Sequence, residues 1–144
     1  MRTFNSFEEL SEYLGENFEK ALEVDLSGFL LDMVYARTKS GYGVDRNGGS
    51  LTKFITLSPS TILRKQKLGR PADNNLTDTG EMLDSFTCKT LKNKTTLTFA
   101  TKRSDMVALY CEKKRPFMLL AAVEIESLAK HYVEGIAANL DRYF

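Results

Sequence analysis

The sequence predicts an α+β fold: a long N-terminal helix, a small antiparallel β-sheet with short helices, and a long C-terminal helix. Three observations predict it. Apolar residues recur at helical spacing near both ends of the chain. Two runs rich in Thr, Phe and Leu, SFTCKTL and TTLTFAT, alternate with period two between them. Caps and breakers punctuate the remaining segments. The 144 residues suit a single domain with a real core. Its expected divisions are a helix over 1–37, a flexible loop over 38–53, an α/β core over 54–118 and a C-terminal helix over 119–144.

Ser6 followed by Glu9 forms a capping box, which starts the first helix at Phe7. Leu10, Leu14, Phe18, Leu22 and Leu26 make a stripe that Phe29, Leu30, Met33 and Val34 continue. The helix is expected to reach Arg37, bent or broken near Ser27-Gly28. At about 1.5 Å per residue it measures about 45 Å, more than one small domain covers, so part of it is expected to lie against another molecule.

Residues 38–50, TKSGYGVDRNGGS, hold four glycines without a period, the mark of a flexible loop. FITL (54–57) reads as a strand. Ser58 and Pro59 then open a short helix over Pro59–Leu68, with Leu57 and Ile62 placed for a hydrophobic staple. Arg64, Lys65 and Lys67 crowd its last turn, where the helix dipole favours cations, and Gly69 with Pro71 ends it. These bases either meet phosphate or an acidic partner, or end in solvent.

Thr77 or Thr79 caps a two-turn helix in which Asp78 and Glu81 favour the positive end and Met82, Leu83 and Phe86 form the apolar edge. The strands 85–91 and 95–101 follow, joined by Lys92-Asn93-Lys94. Ser104 caps a helix over Asp105–Glu112 with Met106, Leu109 and Tyr110 turned inward. Pro116 stops the chain after Lys113-Lys114-Arg115. Ile125, Leu128, Ala129, Tyr132, Ile136 and Leu140 then form the core stripe of the last helix.

Net charge is +1, so no global field draws the chain to nucleic acid or membrane. The neutral total hides segregation: residues 1–35 balance at −6 and residues 36–71 at +7. Such poles pair within a fold or between copies of it. The opening residues lack the apolar segment of a signal peptide, and no run approaches a bilayer span. A bacterial cytoplasm is the expected site of synthesis. Cys88 and Cys111 fit a reducing compartment, as small buried hydrophobes.

The inventory for catalysis is thin. His131 is the single histidine, on a helix face, and reads as structural. Two distant cysteines and one histidine lack metal-ligand spacing. Asp78, Glu81 and Asp84 read as solvent-facing acids at a helix start before they read as a Mg²⁺ cluster. Thr79-Gly80 has no following lysine for a phosphate cradle. No catalytic centre, cofactor or metal is expected.

Three segments in fixed order carry a resemblance. FITLSPSTILRKQ contributes Leu57, Ser58, Thr61 and Arg64. NLTDTGEMLDSF contributes Leu76, Thr79, Gly80, Met82, Leu83 and Ser85. KKRPFMLL contributes Arg115, Pro116 and Phe117. Together they resemble the virion-morphogenesis and tail-completion proteins of tailed bacteriophages, found at the head–tail junction. Many relatives carry Tyr-Ala-x-x-His-x-x-Gly before Arg-Pro-Phe; here the region reads MVALYCEKK, and a helix is expected instead.

The resemblance implies a structural neck or tail-completion protein of the virion. It would form a ring of six copies and join tail to connector, beside connector, tail-tube or tail-terminator proteins, with DNA passing through the lumen and no membrane partner. It also implies that Gly80 packs a helix start closely on the sheet, with Leu76 and Met82 as anchors. Arg115 would take a carboxylate, and Phe117 would plug a core or a neighbour's pocket. The charge poles name interface candidates: Glu12, Glu16, Glu19 and Glu23 on the acidic helix, facing Arg37, Arg46, Lys53, Arg64, Lys65, Lys67 and Arg70. The alternative is a nucleic-acid-binding module that uses the same bases with Lys39.

Overall fold

The computed structural model describes residues 3–72, 76, 80–92 and 94–144. Its elements in order are α1 (Phe7–Leu22), α2 (Ser27–Lys39), β1 (Tyr42–Val44), β2 (Leu51–Lys53), α3 (Pro59–Lys67), α4 (Glu81–Asp84), β3 (Phe86–Leu91), β4 (Lys94–Phe99), α5 (Lys102–Lys114) and α6 (Ala122–Tyr143). The architecture is α+β, with two separate two-stranded antiparallel sheets, β1–β2 and β3–β4.

The leading rod is two helices. Ser6 caps α1 by accepting from the Glu9 amide at 3.1 Å, while the Glu9 carboxylate accepts from the Asn5 amide at 2.9 Å. The break falls at Glu23–Leu26, ahead of the expected Ser27-Gly28. Asp25 causes it: its carboxylate accepts from both the amide and the hydroxyl of Ser27, at 2.9 and 2.6 Å, and starts α2 afresh. α1 then packs antiparallel on α6. Asn17 donates to the Tyr143 carbonyl, Asn139 donates to the carbonyls of Ala21 and Glu23, and the Tyr132 hydroxyl donates to the Leu22 carbonyl. Phe18 meets Phe144 with ring centres 5.0 Å apart. This register carries the first turns of α1 past Phe144.

The core gathers between α2, β3–β4, α5 and the segment before α6. Val34, Phe54, Met82, Leu83, Phe86, Ala108 and Phe117 form it. Phe117 is fully buried and meets Phe86, which stacks on Phe99 across the sheet. Burying one such phenylalanine contributes about 1.5–3 kcal/mol. The β3–β4 register pairs Phe86 with Phe99, Cys88 with Leu97 and Thr90 with Thr95 on the inner face. Thr87 and Thr98 pair on the outer face, their hydroxyls 2.9 Å apart.

Several expectations are corrected. The 38–53 stretch is not an irregular loop: Thr38 and Lys39 end α2 and Tyr42–Lys53 form a β-hairpin, while FITL (54–57) is not a strand. Asp45 makes the hairpin turn: its carboxylate accepts from the amides of Asn47 and Gly48, and its amide donates to the Ser50 carbonyl. Thr101, not Ser104, caps α5. Met106, Leu109 and Tyr110 face outward, each more than 60% exposed, because Ser104 and Ala108 form the buried face. On α1 the deepest residues are Asn17 and Ala21, while Leu14, Phe18 and Leu22 stay exposed. Ile125 and Ala129 of the expected α6 stripe are exposed as well, and Leu128, Tyr132, Ile136 and Leu140 are half-buried.

Gly80 begins α4 with φ 85°, a left-handed conformation that glycine adopts without strain. A side chain there would approach the Asp84 carboxylate at 3.1 Å, not the sheet, so close packing on the sheet is not its role. The expected caps Thr77 and Thr79, with Asp78, lie outside the described residues.

Candidate functional site: a basic cleft beside the first hairpin

Backbone contact builds the site. The Val44 amide donates to the Pro116 carbonyl at 2.8 Å, which lays β1 against the Arg115-Pro116-Phe117 segment. Gly43 permits the approach: a Cβ there would stand 2.2 Å from the Pro116 carbonyl oxygen and 2.6 Å from the Phe54 ring. Glu112 fixes the other side, its carboxylate accepting from the amides of Phe117 and Met118 at 2.7 and 3.0 Å. The Arg46 guanidinium donates to the Glu112 carbonyl and ties the hairpin tip to the end of α5.

A cleft of about 390 Å³ remains between hairpin and α5, lined by Arg46, Lys53, Lys113, Lys114 and Arg115 around Phe54, Ile55 and Pro116. Asp45 is the single acid in the lining. Its carboxylate is turned to the amides of its own loop. Among the described residues no carboxylate pairs with any of the five bases. Lys114 donates to the Tyr110 hydroxyl at 3.2 Å. Five cations around a concave, partly apolar floor give the cleft a positive field of the kind that attracts anions.

Behind the cleft stands a buried ion pair. Arg37 donates to Glu124 Oε2 at 2.5 Å, to the Leu119 carbonyl at 3.0 Å and to the Phe117 carbonyl. Glu124 also accepts from the Ala121 amide at 2.8 Å, closing the first turn of α6. Burial pulls the Arg37 guanidinium below its ordinary value, and the charges of Glu124 and Glu112 oppose that pull.

The expected bases separate into groups. Arg46 and Lys53 enter the cleft, and Arg64 and Lys67 are exposed on α3. Arg37 and Lys65 are buried, so neither stands at the surface as an interface residue; Arg70 is half-buried. Lys39 sits over the Tyr35 ring at 5.5 Å. Within the fold the arginine that meets a carboxylate is Arg37; Arg115 lines the cleft and has no carboxylate partner among the described residues. Glu12, Glu16, Glu19 and Glu23 are all exposed. Of the resemblance motifs, Ser58 caps α3 by accepting from the Thr61 amide. Leu57 and Leu76 are half-buried, and Thr79 is outside the described residues. His131 stacks on Phe29 at 4.4 Å.

Sequence reasoning missed Lys113 and Lys114, and it expected Arg115 to take a carboxylate without placing it beside the hairpin bases. The available signal was a basic run directly before a helix-stopping proline. No helix among the described residues is long and apolar enough to cross a membrane. No protein-family model, curated protein or solved structure matches the chain.

Proposed function

We propose that this chain is a structural protein of a bacteriophage virion, a neck or tail-completion component. It assembles into a ring, of six copies by resemblance, and joins the tail to the connector. It is made in the host cytoplasm, carries no catalytic centre and needs no cofactor. Connector, tail-tube or tail-terminator proteins are its neighbours.

One observation carries the assembly reading. The chain exposes 10044 Å² of surface, where a compact monomer of this mass exposes about 7,500 Å². The surplus of about 2,500 Å² exceeds a standard interface of about 1,600 Å². Phe7, Met106, Leu109, Tyr110, Val123 and Val133 lie on this surface, each more than half exposed. Apolar side chains in such number support association with further protein. The phage assignment rests on the three resemblance segments.

The test is native mass spectrometry and negative-stain imaging over rising concentration, alone and with tail and connector proteins. Closed rings, or particles joined to those proteins, are the expected result. A monomer at every concentration that ignores both partners overturns it.

The basic cleft favours a second reading, a nucleic-acid contact through Arg46, Lys53, Lys113 and Arg115. Retention of double-stranded DNA that falls steeply with salt supports it. Its absence at low salt removes it.

A further inference from the structure

The acids of α1 lie on one side of the helix. Glu8, Glu12, Glu16 and Glu19 follow one another at spacings of three and four, opposite Asn17 and Ala21, which pack inward. Their one ion pair among the described residues is Lys20 with Glu16, 4.0 Å apart and exposed. Like charges one turn apart weaken a helix by about 0.2–0.5 kcal/mol per pair, so the isolated chain holds this stripe at a cost. Cations from outside would remove that cost.

The cleft presents such cations without carboxylate partners among the described residues. No residue of α1 lines it. Within one chain α1 is held to α6 by Asn17, Asn139 and Tyr132, while the hairpin packs on α2. The stripe therefore meets the cleft only when a second copy brings it. The first turns of α1 run past Phe144, which leaves the part bearing Glu8 and Glu12 free to reach a neighbour.

We propose that the cleft formed by Arg46, Lys53, Lys113, Lys114 and Arg115 receives the acidic face of α1 from an adjacent copy. The contact is head-to-tail, with each copy giving its helix to one neighbour and its cleft to the other, and it closes into a ring when the rotation permits. This deepens the ring reading above and rests on it. Carboxylates fit better than nucleic acid because the cleft's aromatic, Phe54, is buried and offers no open face for a base.

The experiment is sedimentation velocity on three full-length variants: Glu12→Lys with Glu19→Lys, Lys53→Glu with Lys113→Glu, and all four together. These side chains are exposed, and circular dichroism with the unfolding midpoint checks that each variant is folded. Each two-site reversal is expected to weaken self-association at least tenfold. The four-site swap is expected to restore it to within about threefold of the natural chain, since the charges again oppose.

Reversals that associate like the natural chain overturn the contact, as does a four-site swap no better than its halves. A cleft reversal that associates normally but no longer retains double-stranded DNA overturns it in favour of nucleic acid. If the natural chain is monomeric throughout, the ring reading itself fails. If it assembles and the variants assemble alike, only this contact fails.

Discussion

Arg37 and Glu124 stand 2.5 Å apart in the interior and join α2 to the first turn of α6 across 87 positions of sequence. Their side chains are 6% and 7% exposed, so neither charge can fall back on water. Removing one partner strands the other. Glu124→Ala is expected to destabilise the fold by about 3–5 kcal/mol in urea titration. Replacing both residues by leucine is expected to cost less than either single change. A Glu124→Ala midpoint equal to that of the natural chain would show that the pair holds nothing. Arg37→Lys is also expected to destabilise, because an ammonium lacks the planar fork whose two nitrogens reach Glu124, Leu119 and Phe117.

Gly43 is the second point of leverage. With the Pro116 carbonyl 2.2 Å from the place of a Cβ, Gly43→Ala must push β1 away from the Arg115-Pro116 segment. A loss of about 1–3 kcal/mol is expected, the usual cost of overpacking. Gly15 offers the contrast, since it lies inside α1 with nothing within 4 Å of that position. Gly15→Ala is expected to raise stability by about 0.5–1 kcal/mol. Thermal unfolding of both variants tests the opposite signs.

Hydrogen bonds from Ser27 hold the Asp25 carboxyl below its ordinary value. Its contribution is therefore complete above the unfolded value of about 3.9 and is lost as pH falls through the lower folded value. Asp25→Asn is expected to unfold earlier than the natural chain at pH 6. The gap is expected to narrow as pH drops below about 4. A gap independent of pH would show that the carboxylate charge plays no part in the joint.

Burial raises the thiols of both Cys88 and Cys111, and the Arg115 charge partly offsets the effect at Cys111. Both are expected to be alkylated more slowly at pH 8 in the folded chain than in urea, because less thiolate is present. Arg115→Ala is expected to slow Cys111 further and leave Cys88 unchanged. Mass spectrometry of the labelled peptides separates the two sites.

Much of the fold was legible wherever a local pattern and the final packing agree. The β3–β4 hairpin follows from strict alternation, and α3 from Ser58, Pro59 and the basic last turn. Legibility failed where tertiary packing decided. Met106, Leu109 and Tyr110 have helical spacing, yet Ala108 and Ser104 pack inward because a small face is what the neighbouring sheet and α4 accept. The glycines of 38–50 suggested a loop. Asp45 and the Pro116 carbonyl supply hydrogen bonds that no periodicity records, and they make that stretch a hairpin. The cleft was half legible: Arg46 and Lys53 belonged to a visible basic segment. Lys113, Lys114 and Arg115 come from sixty residues further along and join them only through the fold.

The break at Asp25 has a mechanical result. A continuous rod would pass any tilt of its tip straight into the core at Val34. Two helices joined at residues 23–26 let α1 lie back along α6 instead, while Arg37–Glu124 and Phe29–His131 hold α2 to that same helix. The bend therefore sets a fixed angle at which the first turns of α1 leave the body of the chain.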